Sequence, residues 1–221
     1  IRVLTKGSHH EFLVSTPVGP VTAPPAPPQA IAPQHGVQLI GVPVGGTVTY
    51  KAPGQSAFAP LDTTKPIPVD SLIDARGGRV RLTAATGVLG DRTPDQSIEF
   101  YGGLFKIQQS AATNSVAIAR LVGKLSCGSA ASGKASASGP QAISAKRRGK
   151  RLWGSGSGSY ATAGRGGTGS VRGTTWLTKE TCQGTFFKVA DEPGPHGIDV
   201  NAKGKKKPVF LGPGDSYLAE R

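Results

Sequence analysis

From Val37 onward, apolar and β-branched residues come in short runs, several of them alternating with polar ones. These are Val37–Ile40, Thr47–Tyr50, Pro66–Ala75, Gly78–Thr86, Ser97–Tyr101, Leu104–Gln108 and Val116–Val122. Turn-forming pairs punctuate them: Gly45-Gly46, Pro53-Gly54, Gly77-Gly78, Gly90-Asp91 and Gly102-Gly103. A period of two with frequent punctuation predicts strands rather than helices. In Arg79-Val-Arg-Leu-Thr83, Val80 and Leu82 share one face and both arginines the other. The pattern returns at Ser170–Leu177, Thr185–Ala190, Gly197–Val200, Pro208–Leu211 and Ser216–Ala219. The stretch between, about 126–170, is rich in Gly, Ser and Ala and reads as an insert. Short strands at this spacing predict an all-β fold, either a sandwich or a partly open barrel.

Residues 1–36 read as an extended arm ahead of the β-domain at 37–221. Ile1–Leu4 and Phe12–Val14 are strand-like, and Thr16–Pro28 is so dense in proline that it reads as polyproline II. At about 3.1 Å per residue the arm reaches on the order of 110 Å, farther than its own domain is wide. Phe12 and Val14 share one strand face. The expectation is that Glu11–Ser15 adds a strand to an exposed edge of another copy, and that the prolines keep the arm from pairing with itself.

Glycine and proline number 32 and 18 among 221 residues. With each glycine costing about 1 kcal/mol and each proline about 3 in a helix interior, helix-rich architectures are excluded. No apolar run approaches the roughly 18 residues of a helical membrane span, and membrane insertion is not expected.

The net charge is +13, and residues 126–180 contain nine bases against the single acid Glu180. Within that stretch the run Lys146, Arg147, Arg148, Lys150 and Arg151 points to a polyanion or an acidic partner surface. Lys203–Lys207 forms a second, smaller cluster. Trp153 and Tyr160, with Arg165 and Arg172, suggest a groove for single-stranded nucleic acid, although two aromatics make a sparse stacking surface.

The two cysteines, Cys127 and Cys182, have 54 residues between them and no metal-ligand spacing. With no methionine and a thin core, they fit one structural disulfide in an oxidising compartment, two buried free thiols being the alternative. Gly128–Lys134 nearly matches a phosphate-binding loop, but Ala135 stands where a magnesium-binding hydroxyl belongs. Gly164–Gly169 matches a dinucleotide pattern, but it opens into a strand rather than a helix. His9, His10, Glu11, His35 and His196 are the metal-capable side chains weighed, and neither a metal nor a cofactor is assigned. No nucleophile-and-base pattern appears, so no catalytic residue is named.

Several segments together carry a family resemblance: Gly45–Tyr50, Pro66–Ala75, Gly78–Thr83, Gly102–Ile107, Gly169–Trp176, Cys182–Val189 and Lys206–Tyr217. Their order resembles the FecR-like β-domain of bacterial periplasmic sensors and exported actinobacterial surface proteins. The likeness spans roughly 37–221, and Val171–Thr174 and the closing strand before Gly214–Ser216 are its most characteristic pieces. It implies an exported all-β module used for binding or assembly, without catalytic apparatus. Two expectations follow. The first is a non-catalytic structural subunit of an extracellular or cell-surface assembly, whose partners are other copies joined through the arm into a filament. The second is a ligand-sensing module, or a binder of anionic polymer, glycan or nucleic acid.

Overall fold

The structure is a computed structural model that describes residues 3–5, 8–10, 31–85, 95–112, 116–125, 127, 150–192 and 196–221. Two units are distinct, residues 1–30 and 31–221. In the first, β1 (Val3–Thr5) and β2 (Ser8–His10) pair antiparallel, with Val3 opposite His10. This corrects the expectation that the arm avoids pairing with itself: the hairpin closes ahead of Pro17, where no proline opposes it. Phe12 and Val14 lie outside the described residues.

The second unit is all-β, without helix among the described residues. Its first strands are β3 (Gln38–Lys51), β4 (Ala59–Pro60), β5 (Ile67–Pro68), β6 (Leu72–Ala84), β7 (Gln96–Tyr101), β8 (Leu104–Gln108) and β9 (Ala117–Leu121). There follow β10 (Arg151–Gly156), β11 (Tyr160–Ala163), β12 (Gly167–Val171), β13 (Thr174–Glu180), β14 (Gly184–Val189), β15 (Ile198–Ala202), β16 (Val209–Leu211) and β17 (Ser216–Glu220). Twelve of them form a nearly closed, barrel-like sheet in the order β16-β15-β12-β11-β9-β8-β6-β7-β10-β13-β14-β17. Along this path only β9 and β11 run parallel. β3 lies along the other edge of β6 and also pairs with β4 and β5.

Strand β6 serves two walls. Its start, Leu72–Asp74, pairs with β8, whereas Arg79–Ala84 pairs with β7. Gly45-Gly46 and Gly77-Gly78, expected as turns, instead face one another inside the β3/β6 ladder, where the register shifts. Gly46 has φ +65°, and a Cβ there would fall 2.2 Å from the Gly77 carbonyl oxygen. Glycine is needed because the two backbones touch.

The expected insert is the main correction. Residues 126 and 128–149 lie outside the described residues there; from Arg151 onward the Gly/Ser-rich sequence supplies β10, β11 and β12, which sit centrally in the sheet. In β10 and β12, glycines leave room for the large rings of other strands. Gly154 of β10 lies under Trp176 of β13, and a Cβ on it would approach the indole to 2.4 Å. Tyr160, Phe100, Phe105, Trp176 and Phe187 are fully buried, with Phe100 meeting Tyr160 and Trp176 edge-on at 6.4 and 6.3 Å. Trp176 and Phe187 are thus core anchors, while Phe186 is half-buried. Gly173, at φ +90°, turns the chain between β12 and β13.

Candidate anion-binding site

One cleft of roughly 220 Å³ opens where four segments meet. Its floor is the Gly102–Leu104 turn between β7 and β8, together with Val122 and Gly123 just after β9. Its walls carry Arg76, Lys124, Lys150 and Arg151. Arg151 begins β10, and its carbonyl lies so close over Gly103 that a Cβ there would stand 2.1 Å away. Lys150 is fixed by its carbonyl, which accepts the Glu180 amide N–H at 2.8 Å.

The four cations differ in their partners. Arg76 forms a forked pair with Asp74, which holds that carboxyl below its ordinary range. Lys124, Lys150 and Arg151 have no carboxylate partner among the described residues. Burial pushes the Lys150 ammonium below the ordinary lysine value, the Arg165 charge adds to this, and Glu180 opposes it. Three uncompensated cations around one concave space favour an anion.

Glu180, the single acid of the basic stretch, does not neutralise them directly. Only 2% of it is exposed. Its Oε1 accepts the Arg165 amide N–H at 2.8 Å and the Thr185 hydroxyl at 2.7 Å. Oε2 has no hydrogen-bond partner among the described residues. The carboxylate therefore ties the β11–β12 turn to β13 and β14, and the cleft keeps its positive sign.

The aromatic groove expected from sequence is divided between core and rim. Tyr160 is in the core; its hydroxyl lies 2.7 Å from the Gln96 carbonyl oxygen and 2.9 Å from that of Leu82, and burial raises its pKa. Trp153 points outward beside Gly102 and stacks on Tyr101, ring centres 6.1 Å apart and planes 5° from parallel. The Arg79 guanidinium sits 4.1 Å from the Tyr101 ring centre. Arg79 and Arg81 both bind Glu99, at 3.1 and 2.8 Å. Trp153 thus lies beside the Gly102 turn without lining the cleft itself. Arg172 is away from it, paired with Asp199.

Of the expected basic run, Lys150 and Arg151 line the cleft, while Lys146, Arg147 and Arg148 lie outside the described residues. Cys127 and Cys182 are bonded, with Cα atoms 5.5 Å apart. The bond secures the segment that carries Lys124, three residues before Cys127, to the β13–β14 turn. Arg76 and Lys124 were not foreseen: both are far from the basic run in sequence, and neither has a local signal. His35 places one ring nitrogen 2.9 Å from the Ala112 carbonyl oxygen and the other 3.2 Å from that of Ala85. Gly164–Gly169 forms the turn after β11 and the start of β12, a strand-to-strand connection that lacks the helix of a dinucleotide site. No family model, curated protein or solved structure matches the chain.

Proposed function

We propose that this chain is a non-catalytic, exported binding module that holds an anionic polymer in the basic cleft. One observation carries the reading: Lys124, Lys150 and Arg151, with no carboxylate partners among the described residues, converge with Arg76 around a single concave space. The disulfide suits an oxidising compartment, and the FecR-like resemblance of 37–221 suits an exported surface module.

Binding of the full chain to sodium polygalacturonate, titrated with salt, tests this. The slope of log affinity against log salt is expected to be steep and to flatten by roughly 2 when Lys124, Lys150 and Arg151 are all replaced with serine. Affinity is also expected to fall as pH rises through the lowered Lys150 pKa, because the anion prefers the protonated ammonium. Lys150→Arg, which keeps its charge there, should flatten that decline. Equal binding by the wild type and the triple variant would overturn the reading.

A second reading, self-association into a surface assembly, is favoured by one edge. Between its contacts with β5 and β4, the Ile40–Thr47 part of β3 has β6 as its only strand partner among the described residues, and Val42 and Val44 are each 41% exposed there. An extended segment such as Glu11–Ser15 of another copy would complete that edge. If so, deleting residues 1–20 is expected to yield folded monomers on size-exclusion chromatography. A product still polymeric would rule the exchange out.

A further inference from the structure

A second cleft, roughly 360 Å³, lies between the end of β15 and β17. It is lined by Lys203, Lys205 and Arg221, with Tyr217, Leu218 and Glu220. None of its three cations has a carboxylate partner among the described residues. It contains the first two lysines of the Lys203–Lys207 cluster, which the first cleft leaves unused.

The two clefts are joined by a chain of direct contacts. The Glu180 amide bonds the Lys150 carbonyl, and the Arg165 amide bonds the Glu180 carboxylate. The Lys203 amide then bonds the Gly166 carbonyl at 2.8 Å. The exposed Arg165 side chain therefore stands between them, near enough for its charge to act on Lys150. On another side, Arg221 Nη2 reaches to 3.7 Å from Cys127 Sγ, on the disulfide that holds the Lys124 segment.

We infer that the two clefts and the Arg165 bridge form one continuous basic track for a linear acidic glycan several units long. The inference rests on the anion-binding reading above and adds length and chemical class. Length follows from the layout: a small anion would be served by one cleft, whereas cations without an ion-pair partner among the described residues continue through Arg165 to Lys203, Lys205 and Arg221, outnumbering the single acid Glu220 there. Class follows from the aromatics. Binding of single-stranded nucleic acid draws on successive exposed rings for its bases. Here Trp153 is stacked on Tyr101 and does not line the first cleft, and the half-buried Tyr217 is the one ring lining the second. The bridge between them has glycine and arginine, which suits carboxylates along a sugar chain.

The test compares galacturonate trimers with long polygalacturonate on the full chain, by calorimetry at fixed salt. Replacing Lys203, Lys205 and Arg221 together with serine is expected to weaken long-chain binding about tenfold or more, and trimer binding by a smaller factor because the first cleft still takes a trimer. Arg165→Ser should act in the same direction. All these side chains are exposed, and a thermal unfolding curve confirms that each variant folds. Undiminished long-chain binding by the second-cleft variant, with binding still lost in the first-cleft variant, overturns the track and leaves the anion-binding reading standing. Undiminished binding by both variants overturns the two together. Oligothymidylate that binds more tightly than polygalacturonate of equal charge overturns the glycan class.

Discussion

Replacing Trp176 with alanine is expected to remove about 4 kcal/mol of stability, lowering the midpoint of thermal unfolding by roughly 10 °C or more in a domain of this size. The indole is fully buried. Its Nε1–H donates to the Thr162 hydroxyl at 2.8 Å, and its six-membered ring fills the space above Gly154. Truncation removes the apolar contact, opens a cavity above Gly154, and leaves the Thr162 hydroxyl with Thr178 as its partner. Gly154→Ala probes the same contact from the other strand. Its new methyl would overlap the ring, at an expected cost of about 2 kcal/mol through overpacking. Urea unfolding monitored by circular dichroism measures both. A loss below about 1 kcal/mol for Trp176→Ala would show that the ring is not the anchor of this core. Folded Trp176→Ala protein should still bind polygalacturonate, because the indole does not line the cleft.

The double substitution Cys127→Ser with Cys182→Ser is expected to cost about 4 kcal/mol, since it frees a loop of this length in the unfolded chain. The two residues are 55 apart in sequence. Unlike the tryptophan change, it should also weaken anion binding at temperatures where the protein remains folded, because the bond secures the segment bearing Lys124. Reduction of the wild type should reproduce both effects. Equal polygalacturonate affinity in the oxidised and reduced forms would show that Lys124 is placed by β9 and Gly123 alone. Together the two experiments separate a residue that holds the barrel from a bond that also shapes the site.

The sequence by itself determined the fold class. Alternation of the kind in Arg79–Thr83, with glycine and proline between the runs, leaves helices no place, and β8 spans the same Leu104–Gln108 that the pattern marks. Half of the candidate site was equally local: Lys150 and Arg151 belong to a contiguous basic run, and a run of charge is visible without a fold. Tertiary structure alone decided the rest. The Gly/Ser sequence after Arg151 carries almost no strand signal of its own, because its small residues are explained by the large ones facing them, Gly154 by Trp176. Gly45-Gly46 and Gly77-Gly78 resemble turns until the β3/β6 ladder brings them together. Arg76 and Lys124 join the cleft only when the β7–β8 turn and the exit of β9 meet the start of β10. Glu180, the one acid in a basic stretch, becomes a buried tether for the β11–β12 turn and acts on Lys150 only through space, without an ion pair. Periodicity is written in neighbouring residues, whereas steric complementarity and charge convergence exist only between residues that the closed sheet brings together.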